Sequence, residues 1–93
     1  MVKVNEYFGG QVKSLTINSL DGRETVGVME TGDYEFGTEG KERMNVISGS
    51  MTVKLPGKND WQVFSEDSKF EVPANSKFQV KVIADAAYLC EYL

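Results

Sequence analysis

The sequence predicts an all-β fold, a barrel or sandwich of short strands built as one domain from residues 1–93. Three observations carry this expectation. Runs rich in Val, Ile, Thr, Phe and Tyr recur along the chain with Gly, Asp, Asn and Pro between them, the pattern of strands joined by tight turns. Inside those runs apolar residues fall at every second position, the period of a strand with one buried face. No stretch shows the period of an amphipathic helix, and nothing requires a helix longer than one turn.

Taken in order, the expected strands are Val12–Asn18, Thr25–Glu30, Asp33–Gly37, Arg43–Ser48, Met51–Leu55, Trp61–Phe64, Lys69–Val72, Lys77–Ile83 and Ala87–Tyr92. Between them Asp21-Gly22, Thr31-Gly32-Asp33, Gly49-Ser50 and Pro56-Gly57-Lys58-Asn59-Asp60 carry turn chemistry. Glycine permits positive φ, proline fixes φ, and Asx side chains bond their own backbone. Alternation assigns the faces: Phe78, Val80 and Val82 inward, Phe70 and Val72 inward, and Met51, Val53 and Leu55 inward. If Glu42 faces the interior, Met44, Val46 and Ser48 share its face, while Arg43, Asn45 and Ile47 look out. The same parity turns Tyr34, Phe36 and Thr38 inward, unless a bulge near a strand end reverses it.

Composition narrows the function. A chain of 93 residues that is 41% hydrophobic can fold around one core but has little room for a second. A net charge of −4 opposes nonspecific attraction to nucleic acid or to an anionic membrane, so neither is an expected partner. A lone cysteine, Cys90, rules out an internal disulfide and fits a reducing compartment. The opening Met-Val-Lys-Val-Asn-Glu has no apolar signal core, so a cytoplasmic protein is expected.

Two spacings make the fold more specific. Gly32, five residues, Thr38, then Glu42, six residues and Gly49 resemble the first cupin motif, with the interval before the glutamate shortened. Asp67, five residues, Pro73-x-Asn75 and then Phe78 resemble the second. The resemblance implies a single-domain cupin, a double-stranded β-helix or jelly-roll-like barrel. In metal-binding cupins histidines stand where this chain has Thr38, Gly40 and Phe78, yet the chain contains no histidine. Glu42 alone is a poor site for zinc or iron. No metal and no cofactor is therefore expected.

Local strings extend the likeness from end to end. They include Asn5-Glu6-Tyr7-Phe8, Thr25-Val26-Gly27-Val28-Met29, Glu42-x-Met44-x-Val46-Ile47-Ser48-Gly49, Asp60-Trp61, Phe70-x-Val72-Pro73 and Tyr88-Leu89-Cys90-x-Tyr92-Leu93. Together they closely resemble the small bacterial pyrimidine/purine nucleoside phosphorylase family, formerly a domain of unknown function. The resemblance implies a pentosyltransferase that cleaves purine and pyrimidine nucleosides with inorganic phosphate, giving ribose 1-phosphate and free base. Cupin likeness and small size also imply a homodimer, with Ile47 and its neighbours as contact surface.

Such chemistry needs a group for the ribose, one for phosphate and a surface for the base. Glu42 is the expected catalytic residue, since a carboxylate can accept hydrogen bonds from vicinal hydroxyls and favour positive charge developing nearby. Its plainer role is a buried carboxylate satisfied by neighbours. Arg23 is the candidate for phosphate, because a guanidinium offers paired donors; a solvated turn residue is the competing role. Arg43 points outward by parity and suits surface pairing better. Thr38 and Ser48 are candidates to assist backbone N–H groups in holding an anion. Tyr34, Phe36, Trp61, Phe78, Tyr88 and Tyr92 are the aromatic candidates, because stacking tolerates any base. For Phe36 and Phe78 ordinary core packing competes strongly. Cys90 is expected to pack as a small apolar residue. The alternative to an enzyme is a non-enzymatic cupin module that binds a sugar or nucleoside, or a scaffold whose barrel is plugged by Phe36, Met44, Val46, Phe78 and Val80.

Overall fold

Each expected run forms a strand, and pairing divides the strands between two antiparallel sheets. The computed structural model describes all residues, Met1–Leu93. In chain order the strands are β1 Val4–Tyr7, β2 Val12–Ser19, β3 Gly22–Met29, β4 Gly32–Gly37, β5 Glu42–Ser48, β6 Ser50–Lys54, β7 Gln62–Ser65, β8 Lys69–Val72, β9 Lys77–Val82 and β10 Ala86–Tyr92. A single 3₁₀ turn, Phe8–Gly10, joins β1 to β2. The larger sheet has the order β1-β2-β3-β10-β5-β8, and the smaller has β4-β9-β6-β7. No helix is long and apolar enough to cross a membrane.

The two sheets face each other and their inward side chains make one core, as the alternation predicts. Val12, Met29, Met44, Val46, Val72, Met51, Val53, Val80 and Val82 are all buried there. Phe78 and Phe70 join them, while Leu55, Phe36, Phe64 and Tyr92 pack against the edge of the cluster. Every buried side-chain nitrogen and oxygen has a hydrogen-bond partner, so the core carries no orphaned polar group that would oppose folding.

Three differences from the sequence expectation have local causes. Strand β1 was not expected, because Val-Asn-Glu-Tyr has no buried face to impose alternation. It is held as an edge strand by its ladder to β2 and by Asn5 donating to Ser14 and Thr16 at 3.2 and 3.1 Å. Strand β3 begins at Gly22 rather than Thr25, because the polar Gly-Arg-Glu segment pairs with Ile17, Asn18 and Ser19 across a tight hairpin. The third is a bulge. Tyr88 pairs with Val46 but Ala87 pairs with Ser48, so Ile47 is an extra residue in β5. The parity breaks there, and Ser48 is exposed rather than facing inward.

Candidate active site

Register on the inner face of the large sheet lays the candidate side chains in rows. Thr25 on β3 pairs with Cys90 on β10, which pairs with Met44 on β5. One row along, Ser14 pairs with Gly27 and Gly27 with Tyr88. On the other side Tyr92 pairs with Glu42. Adjacent inward positions on adjacent strands thus collect hydroxyl, thiol and carboxylate groups in one patch.

A glycine makes room for this patch. A Cβ at Gly27 would stand 2.6 Å from both Cζ and Oη of Tyr88 and 2.8 Å from the backbone oxygen of Lys13. The Tyr88 ring therefore lies directly over the Gly27 backbone, a place that no larger residue leaves free.

Between the sheets a cavity of about 380 Å³ opens beside the patch, within the span of small-molecule sites. Its two walls differ in character. The large sheet contributes Glu42, Cys90, Tyr88, Tyr92, Thr25 and Ser14 together with Met29, Met44 and, from β1, Tyr7, while the facing side contributes Phe36, Phe78, Gly37 and the rim residue Glu35 from the small sheet and Phe8 from the turn before β2. The core does not plug the barrel.

Electrostatics in the patch follow from burial. Burial pushes the Glu42 carboxyl above its ordinary range, opposed by the Cys90 hydrogen bond and by the charge of Arg23. The Cys90 thiol donates to Glu42 Oε1 at 3.4 Å. Burial and the neighbouring Glu42 both raise its pKa far above that of a free thiol, so Cys90 is a protonated donor and no nucleophile. Burial also raises the Tyr88 phenol, and it pushes Tyr92 up to about 12. The hydroxyls of Tyr92 and Thr25 lie 3.4 Å apart. The Arg23 guanidinium sits over the Tyr92 ring, 4.2 Å from its centroid, a cation–π contact that holds the positive charge at the Glu42 end.

Of the candidates named from sequence, Glu42, Phe36, Phe78, Tyr88 and Tyr92 line the cavity, and Arg23 stands against it on Tyr92. The others lie elsewhere. Tyr34 donates its hydroxyl to the Glu30 carbonyl at 2.6 Å. Thr38 is buried but ties two loops together, donating to Pro73 O at 2.7 Å and accepting from Ser76 N at 3.0 Å. Ser48 is on the surface, turned out by the bulge. Trp61 lies on the outer face of the small sheet, where Lys81 Nζ is 4.4 Å from its ring centroid. Arg43 faces out and pairs with Glu71 at 3.2 Å and Glu91 at 3.6 Å.

Ser14, Thr25, Tyr7 and Phe8, with Met29, Glu35 and Gly37, are lining residues that were not among the site candidates. The first two carried a misleading signal, because the apolar alternation of β2 and β3, Leu15 with Ile17 and Val26 with Val28, lies on the opposite, outer face. Tyr7 and Phe8 carried none, because their segment has no periodicity. Nowhere do three His, Cys, Asp or Glu side chains come together as a metal-binding group.

A family model described as pyrimidine/purine nucleoside phosphorylase matches residues 2–92. The chain belongs to the pyrimidine/purine nucleoside phosphorylase family. A relative from Pseudomonas savastanoi pv. phaseolicola that bears the family's name is 61% identical over 92 residues, covering 99% of each chain. The crystal structure of a protein of unknown function from Vibrio parahaemolyticus is 46% identical, with a TM-score of 0.97 over 100% of this chain and 99% of that one. An RmlC-like cupin from Shewanella frigidimarina, 14% identical, has a TM-score of 0.72 over 96% of this chain and 80% of its own. The chain thus shares its architecture with a cupin.

Proposed function

We propose that this chain cleaves purine and pyrimidine nucleosides with inorganic phosphate inside the cavity between its sheets. The observation that carries this reading, beside family membership, is a cavity of about 380 Å³ that sets the Glu42 carboxylate and the hydroxyls of the large sheet across from the rings of Phe8, Phe36 and Phe78. A nucleoside has the same division, a polyhydroxyl sugar joined to a flat base.

In this reading Glu42 accepts hydrogen bonds from the ribose hydroxyls and favours the positive charge that grows on the anomeric carbon. Cys90, donating to Glu42, holds the carboxylate in place. Arg23, fixed over Tyr92, presents paired donors to phosphate. A phosphate oxygen forms the new bond to the anomeric carbon as the bond to the base nitrogen breaks. The electron pair leaves with the base, which takes up the proton that phosphate gives up. Holding both reactants in one cavity lowers the barrier by removing the entropy of their encounter, on the order of several kcal/mol. Tyr88 and Tyr92 bound the sugar end with ring and hydroxyl, and Phe78 backs the aromatic side from the core. No covalent enzyme intermediate is needed.

A cytoplasmic homodimer belongs to the same reading. The outer face of the large sheet leaves Val4, Leu15, Val28 and Ile47 exposed, and apolar surface of this kind suits a second protomer. Light scattering that returned the 10.4 kDa mass of a single chain would remove the dimer.

The deciding experiment incubates the purified protein with uridine or adenosine, with and without phosphate, and follows free base by chromatography. Base release that requires phosphate, with ribose 1-phosphate as co-product, is expected. Equal release without phosphate would make it a hydrolase. No release at all, with saturable nucleoside binding, would leave a binding module.

A further inference from the structure

We propose that Phe8 is the base-stacking, specificity-determining residue of the cavity, supplied by the segment before β2 rather than by the barrel; this rests on the phosphorylase reading above. The aromatic wall contains several rings, but they are not equally free. Phe78 is only 3% exposed and packs between Phe36 at 5.6 Å and Phe70 at 6.2 Å, so its surface is committed to the core. Phe36 is likewise packed against the core. Phe8 is 45% exposed while lining the cavity, as is Tyr7, but Tyr7 belongs to β1 of the large sheet and Phe8 alone stands with the facing rings Tyr34 and Phe36. It leans on Phe36 edge-to-face at 5.5 Å and on Tyr34 at 5.0 Å, contacts that fix the ring yet leave much of it open.

The backbone supports the assignment. Phe8 has φ 53°, and Gly9 and Gly10 that follow have φ 65° and 95°. A bulky L residue adopts the left-handed region only at a cost. Here that conformation turns the ring over the cavity, opposite the polar wall. Tyr34 thereby gains a role without touching the cavity. Its hydroxyl is anchored on Glu30 O and its ring buttresses Phe8.

A ring that stacks on the base by its face reads no base edge, so it accepts purines and pyrimidines alike. It should favour purines, whose two fused rings overlap it more. Stacking contributes to ground state and transition state equally and should therefore appear in KM rather than kcat.

The test compares wild type with Phe8→Ala, Phe8→Leu and Phe8→Tyr, measuring KM and kcat for adenosine and for uridine at saturating phosphate, with nucleoside binding measured in parallel. Phe8→Ala should raise the adenosine KM about 5- to 100-fold, the range of a lost base–aromatic contact. The uridine KM should rise less, with kcat and the phosphate KM within about two-fold. Phe8→Tyr should restore wild-type KM and Phe8→Leu should not. Full rescue by Phe8→Leu, or an unchanged nucleoside KM in Phe8→Ala, would overturn the stacking role while leaving the phosphorylase intact. If wild type shows no phosphate-dependent turnover the enzymatic reading fails. The role of Phe8 is then judged by adenosine binding alone, which must weaken in Phe8→Ala and return in Phe8→Tyr.

Discussion

Glu42 concentrates the conflict between stability and function in one side chain. Burial raises its pKa, so the ionised form that the proposed ribose contact requires is the form the fold disfavours. A carboxyl whose folded pKa lies above its unfolded value contributes stability below the unfolded pKa, and loses that contribution as pH rises through the folded value. At neutral pH the charge on Glu42 is therefore a cost to folding. Glu42→Gln should lower kcat/KM by on the order of 100-fold or more, while the melting temperature stays the same or rises. Turnover near that of wild type would end the catalytic assignment. The acid limb of kcat/KM should likewise fall at a pH above the ordinary 4.5, which a pH–rate profile measures directly; a limb at or below that value would show that burial does not govern Glu42. Arg23→Lys keeps the charge but loses the paired donors. Phosphate KM should rise about ten-fold or more, one lost charge-assisted bond being about 1.5–3 kcal/mol, with nucleoside KM spared. Unchanged phosphate saturation would move the phosphate site away from Arg23.

At the scale of elements, strand register assembles the site and small irregularities trim it. Tyr88 can lie flat because its partner across the ladder is Gly27. Gly27→Ala drives a methyl group into the Tyr88 ring and into the Lys13 carbonyl, and backbone cannot yield as a side chain can. A loss of about 1–3 kcal/mol is expected, seen in urea unfolding as a lower midpoint, together with weakened nucleoside binding. A variant as stable as wild type would mean that β2 and β3 separate more easily than the ladder implies. The strands themselves were legible wherever one face is buried, as in β6, β8, β9 and β10. They were illegible in β1 and at the start of β3, where pairing rather than burial makes the strand. Ser48 shows the same limit from the other side. Its parity was readable, but the extra residue Ile47 that reverses it is visible only against Tyr88 and Ala87 on β10.

At the scale of the molecule, two sheets hold a cavity open because one wall is polar enough to resist collapse. Glu42, Thr25, Ser14 and the tyrosine hydroxyls face each other or the open space, and no buried side-chain nitrogen or oxygen lacks a partner. The donor chemistry that would replace this arrangement with a metal centre is missing, since the chain has no histidine and no three acidic or thiol groups converge. Dialysis against a strong chelator should leave phosphorolysis unchanged, as measured by base release per mole of protein. A loss restored by adding a divalent cation would show that a cation acts in the reaction after all.

The all-β architecture, the inward faces of most strands, the family and the candidate carboxylate Glu42 were legible in the chain alone. Those follow from period-two burial and from motif spacing, which are properties of short stretches of chain. Only tertiary structure decided that Thr38, Ser48, Trp61 and Tyr34 stand apart from the cavity, and that Phe8, Ser14 and Thr25 line it. Membership of a cavity depends on which strands pair, where a bulge shifts the register and what the opposite sheet presents, and these are relations between residues far apart along the chain.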